Sequence, residues 1–61
     1  MEYIELDCEW LIYANTLSDA EFGRLIRAGL LFAETREEVE LVGNERHLFP
    51  FLKMRIDEYA R

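Results

Sequence analysis

Apolar residues recur at helical spacing in three stretches of the chain. Trp10, Tyr13, Ala14 and Leu17 fall at i, i+3, i+4 and i+7 and mark one face of a first helix, which Leu11 and Ile12 broaden. Phe22, Leu25, Ile26, Gly29, Phe32 and Ala33 form a second stripe, the spacing of a helix facing a core. Leu48, Phe51, Leu52, Met54, Ile56 and Tyr59 form a third, with Arg55 interrupting it. The pattern predicts helices over about 8–16, 18–34 and 45–60. The expected fold is therefore all-α: a compact three-helix domain with the second helix central and an extended connector before the last helix.

The polar residues between the stripes set their limits. Residues 1–6 alternate loosely and read as an extended lead-in, and Asp7 can cap the first helix. Asn15 and Thr16 weaken that helix toward its end. Ser18-Asp19-Ala20-Glu21 spells a capping box, in which the serine hydroxyl and the glutamate carboxylate each accept from the other's backbone amide. Leu17 and Phe22 occupy the two positions of a hydrophobic staple. A glycine inside a helix costs about 0.5–1 kcal/mol relative to alanine. Gly23 and Gly29 in the second helix therefore suggest that another backbone comes close there. Leu30 and Leu31 lie off the stripe and can face a partner.

Glu34-Thr35-Arg36-Glu37-Glu38 ends the second helix. Val39-Glu40-Leu41-Val42 alternates briefly and predicts the extended connector; four residues form no sheet alone. Gly43-Asn44 makes a turn, with Asn44 as a cap. Pro50 lies inside the third pattern. It predicts a short turn at 45–49, then a kink, with the main helix starting near Pro50.

Size limits the stability of such a domain. A chain of 61 residues buries only about 60% of its unfolded surface and commonly needs a disulfide, a metal or association. Cys8 is the one cysteine and His47 the one histidine, so an internal disulfide is excluded and a metal site is not expected. Yet the chain is 51% hydrophobic and carries eight aromatics. Some of those side chains are expected at the surface, where contiguous apolar area marks a contact site.

Charge narrows the partner. Thirteen acidic against seven basic residues give a net charge of −6. That lacks the basic footprint for direct binding to nucleic acid or to an anionic membrane, and it steers the chain toward a basic protein surface. No apolar run reaches the ~20 residues of a membrane span. Met1-Glu2-Tyr3-Ile4-Glu5 lacks the basic and apolar regions of a signal peptide, so a cytoplasmic location is expected.

No catalytic, cofactor-binding or metal-ligating residue is predicted. His47 has no partner ligands in sequence and reads as a surface or capping histidine. Asp7 and Glu9 flank Cys8 and oppose its thiolate, so the cysteine reads as inert. Adjacent pairs such as Glu37-Glu38 and Asp57-Glu58 do not face each other on a helix and read as a solvated face. Two acidic groups have an alternative reading as imitations of nucleic-acid phosphates. One is Glu34, Glu37, Glu38, Glu40 and Glu45 along the connector; the other is Glu2, Glu5, Asp7 and Glu9 at the N-terminus. Among the aromatics, Trp10, Phe22 and Phe51 are expected in the core. Phe49, with Leu30, Leu31 and Met54, is expected in exposed contacts.

Several segments in a fixed order carry a resemblance. They are Leu17-Ser18-Asp19-Ala20-Glu21-Phe22-Gly23-Arg24-Leu25, Arg27-Ala28, Gly43-Asn44-Glu45-Arg46, Phe49-Pro50, Lys53 and Ile56-Asp57. Together they resemble an uncharacterised family of small phage and prophage proteins of Gram-positive bacteria, over about residues 8–59. In longer members a similar segment is the N-terminal module of replication-associated-looking proteins, followed by a separate DNA-binding part. The resemblance implies a phage context and brings no catalytic residues. Members often have glycine where this chain has Arg36, and the arginine argues against a tight left-handed turn there.

The expected function is a non-enzymatic protein–protein interaction module that binds a host or phage protein or self-associates. Its predicted contacts are Leu30, Leu31, Phe49, Met54, Glu34, Glu37, Glu38, Glu40 and Glu45. A small acidic inhibitor of a host nucleic-acid-handling or defence protein is one concrete form. A replication-associated accessory domain that contacts nucleic acid directly or through a replication protein is the alternative.

Overall fold

The computed structural model describes residues 3–59. Glu2 of the N-terminal acidic group and residue 60, the expected end of the third helix, lie outside the described residues. The elements are α1 (Trp10–Thr16), α2 (Asp19–Thr35), a 3-10 turn (Asn44–His47) and α3 (Phe49–Tyr59). No strand occurs among the described residues, and residues 37–42 form an extended connector. No described helix is long and apolar enough to cross a membrane.

Local capping sets where α2 begins. Ser18 Oγ accepts from the Glu21 amide at 3.1 Å, and Glu21 Oε1 accepts from the Ser18 amide at 2.9 Å. Both halves of the capping box are thus formed, satisfying two of the donors a helix start leaves open. Leu17 and Phe22 are half-buried against the core on either side of this cap. The first helix is shorter than its apolar pattern suggests. Asp7 Oδ1 accepts from the Glu9 amide at 3.0 Å, and the Asp7 carbonyl accepts from Trp10. Asp7 therefore caps a turn at Cys8–Glu9, and α1 proper starts at Trp10.

The end of α2 corrects an expectation. Arg36 sits in the left-handed region, at φ 64° and ψ 9°, and its amide donates to the Phe32 carbonyl at 2.8 Å. A non-glycine residue is held there by two side-chain contacts. Its guanidinium lies 5.0 Å from the Phe32 ring centre and pairs with Asp57 on α3.

The core consists of Trp10 from α1, Leu25, Ala28 and Phe32 from α2, and Phe49, Leu52 and Ile56 from α3. Phe32 and Phe49 meet edge to face with ring centres 6.3 Å apart, and Trp10 meets Tyr13 likewise at 5.1 Å. The radius of gyration, 10.8 Å, is close to the roughly 10.5 Å expected of a folded chain this long. The backbone approach suggested by the two glycines does not occur. A Cβ at Gly29 would run into the Leu52 side chain, Cγ at 3.2 Å, whereas a Cβ at Gly23 would meet nothing within 4 Å.

Pro50 is the second residue of α3, where its missing N–H removes no helical bond. The 3-10 turn and Leu48 precede it, so the helix interior runs from Phe51 onward without a proline. This phase exchanges two aromatics. Phe49 is only 6% exposed and belongs to the core, while Phe51 is 52% exposed. Leu11 and Ile12 likewise point outward and do not widen the buried face of α1.

Candidate functional site

Glu45 is the least expected feature of the connector's far end. It is fully buried, although its sequence neighbours placed it in a solvated acidic group. The 3-10 turn aims its side chain at α2, where Arg24 Nε donates to Oε1 at 2.6 Å; the Gly43 amide donates to the same oxygen at 3.2 Å. Oε2 has no hydrogen-bond partner. The Arg24 guanidinium, opposed by burial, holds the carboxyl below the usual carboxylate range. Glu21 lies beside this pair. Its Oε2 accepts from the Asn44 amide at 2.9 Å, so one carboxylate serves both the start of α2 and the start of the 3-10 turn. The amides of Ser18 and Asn44 hold its pKa down. Gly43 completes the cluster, because a Cβ there would collide with the Glu45 carboxylate and approach Arg24 Nη2 at 2.8 Å. The network locks the connector's exit to α2.

Glu34, Glu37, Glu38 and Glu40 are exposed, and Glu38 accepts from Lys53 Nζ at 2.6 Å. Lys53 also lies 5.2 Å from the Phe49 ring centre. The expected acidic surface therefore exists along the connector, without Glu45.

The four predicted apolar contacts do not form one patch. Leu30 is exposed on α2. Leu31 is half-buried and lines a cleft of about 240 Å³ with Arg27, Ala28, Val39 and Leu41, between α2 and the connector. Phe49 lies in the core and is removed from the contact set. Met54 is 53% exposed on the far side of α3. There it joins residues that the sequence did not single out as contacts. Phe51, Met54, Arg55 and Glu58 fall at i, i+3, i+4 and i+7 on α3, a second stripe opposite Leu52 and Ile56. Between this stripe and α1 lies a groove of about 130 Å³ lined by Asp7, Glu9, Trp10, Tyr13, Phe51, Met54 and Arg55. The signal for it was the spacing 51, 54, 58, which the assignment of Phe51 to the core concealed.

His47 and Cys8 are both exposed, and no group of three or more potential metal ligands occurs among the described residues. No protein-family model matches the chain, and no curated protein or solved structure matches it either.

Proposed function

We propose that this chain is a non-enzymatic protein–protein interaction module of phage or prophage origin, acting in the cytoplasm of its host. The observation that carries the reading is the distribution of apolar side chains. The core is filled, yet Leu11, Ile12, Leu30, Phe51 and Met54 remain about half exposed or more. So many large apolar groups on so small a surface favour a second macromolecule as their cover. The net charge of −6 and the exposed Glu34, Glu37, Glu38 and Glu40 favour a basic protein partner. A small acidic inhibitor of a host nucleic-acid-handling or defence protein, CRISPR-type effectors included, fits these features. The phage context rests on the sequence resemblance alone.

The test is affinity capture from host lysate with mass spectrometry, paired with light scattering. A specific captured protein, released when Glu37, Glu38 and Glu40 are changed to glutamine, is the expected result. A strictly monomeric chain that captures nothing overturns the reading. A gel shift with DNA tests the direct form of the replication-accessory alternative, and a flat titration disposes of that form.

A further inference from the structure

The groove between α1 and α3 runs on into a second hollow of about 250 Å³, lined by Glu5, Asp7, Arg55, Glu58 and Tyr59. Asp7 and Arg55 border both parts and pair with each other. Their charges cancel, which leaves Glu5, Glu9 and Glu58 as acids that no described basic side chain pairs with. The depression is therefore apolar at one end, through Phe51, Met54 and the edge of the Trp10–Tyr13 pair, and acidic along its rim and at the other end.

We propose that this groove receives a basic amphipathic helix of a partner protein, seating one of its apolar side chains on Phe51 and Met54. This rests on the interaction reading above and assigns its contact to a different face from the acidic connector. Three observations select the occupant. The apolar end of the groove holds about 130 Å³, room for one large side chain and not for a folded surface. Among the described residues the uncancelled rim charge is negative, so the flanking residues of the occupant are lysine or arginine. The walls are helices and no strand edge is available among the described residues, so a helix laid in a groove is the recognition mode that fits. A second copy of this chain fits poorly, because it would bring Glu5, Glu9 and Glu58 against the same acids. Met54 suits the role, since an unbranched thioether adapts to the shape it meets.

The test uses the full chain, labelled for NMR, and a synthetic amphipathic helix of leucine and lysine as probe. Saturable shifts centred on Tyr13, Phe51 and Met54 are expected. Phe51→Ala with Met54→Ala should weaken binding by at least about tenfold. Glu9→Gln with Glu58→Gln should weaken it and reduce its salt dependence. None of the four is a core residue, so retained helicity shows that any loss belongs to the groove. Shifts centred on the Leu31–Val39 cleft, shifts spread over all acids, or no saturation overturn the proposal. Groove shifts on concentration alone would assign the face to self-association and overturn it too. A host protein captured equally well by Phe51→Ala/Met54→Ala sinks the groove and leaves the interaction reading standing. Peptide binding with no captured protein removes the partner and overturns both.

Discussion

Arg24 Nε donates to the buried carboxylate of Glu45 at 2.6 Å, joining α2 to the 3-10 turn across 21 residues of sequence. The two ends of this pair differ in their access to water: the arginine side chain is 45% exposed and the glutamate is fully buried. Losing the arginine therefore strands a buried charge, while losing the charge on the glutamate releases a cation that solvent can reach. Arg24→Ala is expected to lower the urea midpoint more than Glu45→Gln. The double variant should recover part of the loss of Arg24→Ala. An equal loss for both single variants would show that the pair is not buried in solution.

The same carboxylates set the acid limit of stability. Glu45 and Glu21 both titrate below their ordinary value of 4.5 in the folded chain, through Arg24 for the first and the amides of Ser18 and Asn44 for the second. The unfolded chain then binds more protons than the folded one in this range. Their stabilisation is present above about pH 4.5 and lost as the pH falls below it. Glu45→Gln should flatten that acid slope in urea midpoints measured from pH 3 to 6. Tyr59 acts at the other limit. Its hydroxyl donates to Tyr3, and this bond with partial burial pushes its pKa up to about 12. The folded chain holds this proton longer, so the contribution is present below pH 10 and lost as the pH rises toward 12. Tyr59→Phe should remove that alkaline dependence.

Two aromatics on either side of Pro50 are expected to behave oppositely. Phe49→Ala removes a buried ring and costs about 3–5 kcal/mol. A core this small rarely supplies more than about 3–5 kcal/mol in total. Phe49→Ala should therefore abolish the cooperative melt seen by circular dichroism. Phe51→Ala should stay within about 0.5 kcal/mol of the parent, as for most surface changes. A large loss at Phe51 would place it in the core.

The glycines of α2 make a second contrasting pair. Nothing occupies the space beside Gly23, so Gly23→Ala should stabilise by about 0.5–1 kcal/mol. At about 4–8 °C per kcal/mol for a domain of this size, the gain is visible in a thermal melt. Gly29→Ala instead drives a methyl group into the fully buried Leu52 and should lower the melting temperature.

What could be read from the sequence was local. The capping box of Ser18 and Glu21 is a matter of three-residue spacing, and the stripes of α2 report directly on Leu25 and Phe32. The all-α class follows from these. What escaped were properties fixed by distant partners or by phase. Glu45 looked solvated because Arg24 is remote in sequence. Phe49 and Phe51 were exchanged because α3 already begins at Phe49, which puts Phe49, Leu52 and Ile56 at i, i+3 and i+7 on the buried face and turns Phe51 away from it. Arg36 adopts a left-handed backbone with its side chain held by Phe32, one turn back, and by Asp57, 21 residues away, and the second contact is invisible in the sequence. Among the expected contacts, Leu30, Met54 and the connector acids stand at the surface, while the α1–α3 groove needed the third dimension to bring Tyr13 beside Phe51.

Glu21 grips Asn44 at one end of the connector, and Arg36 is tethered to Asp57 at the other. Between these feet Leu41 packs on the core and Glu38 pairs with Lys53, while Glu40 is exposed. Doubling the length of a flexible loop costs only about 0.6 kcal/mol in closure entropy. A foreign peptide inserted beside Glu40, with the native residues kept on either side, would thus be displayed on a helical frame that retains its own anchors.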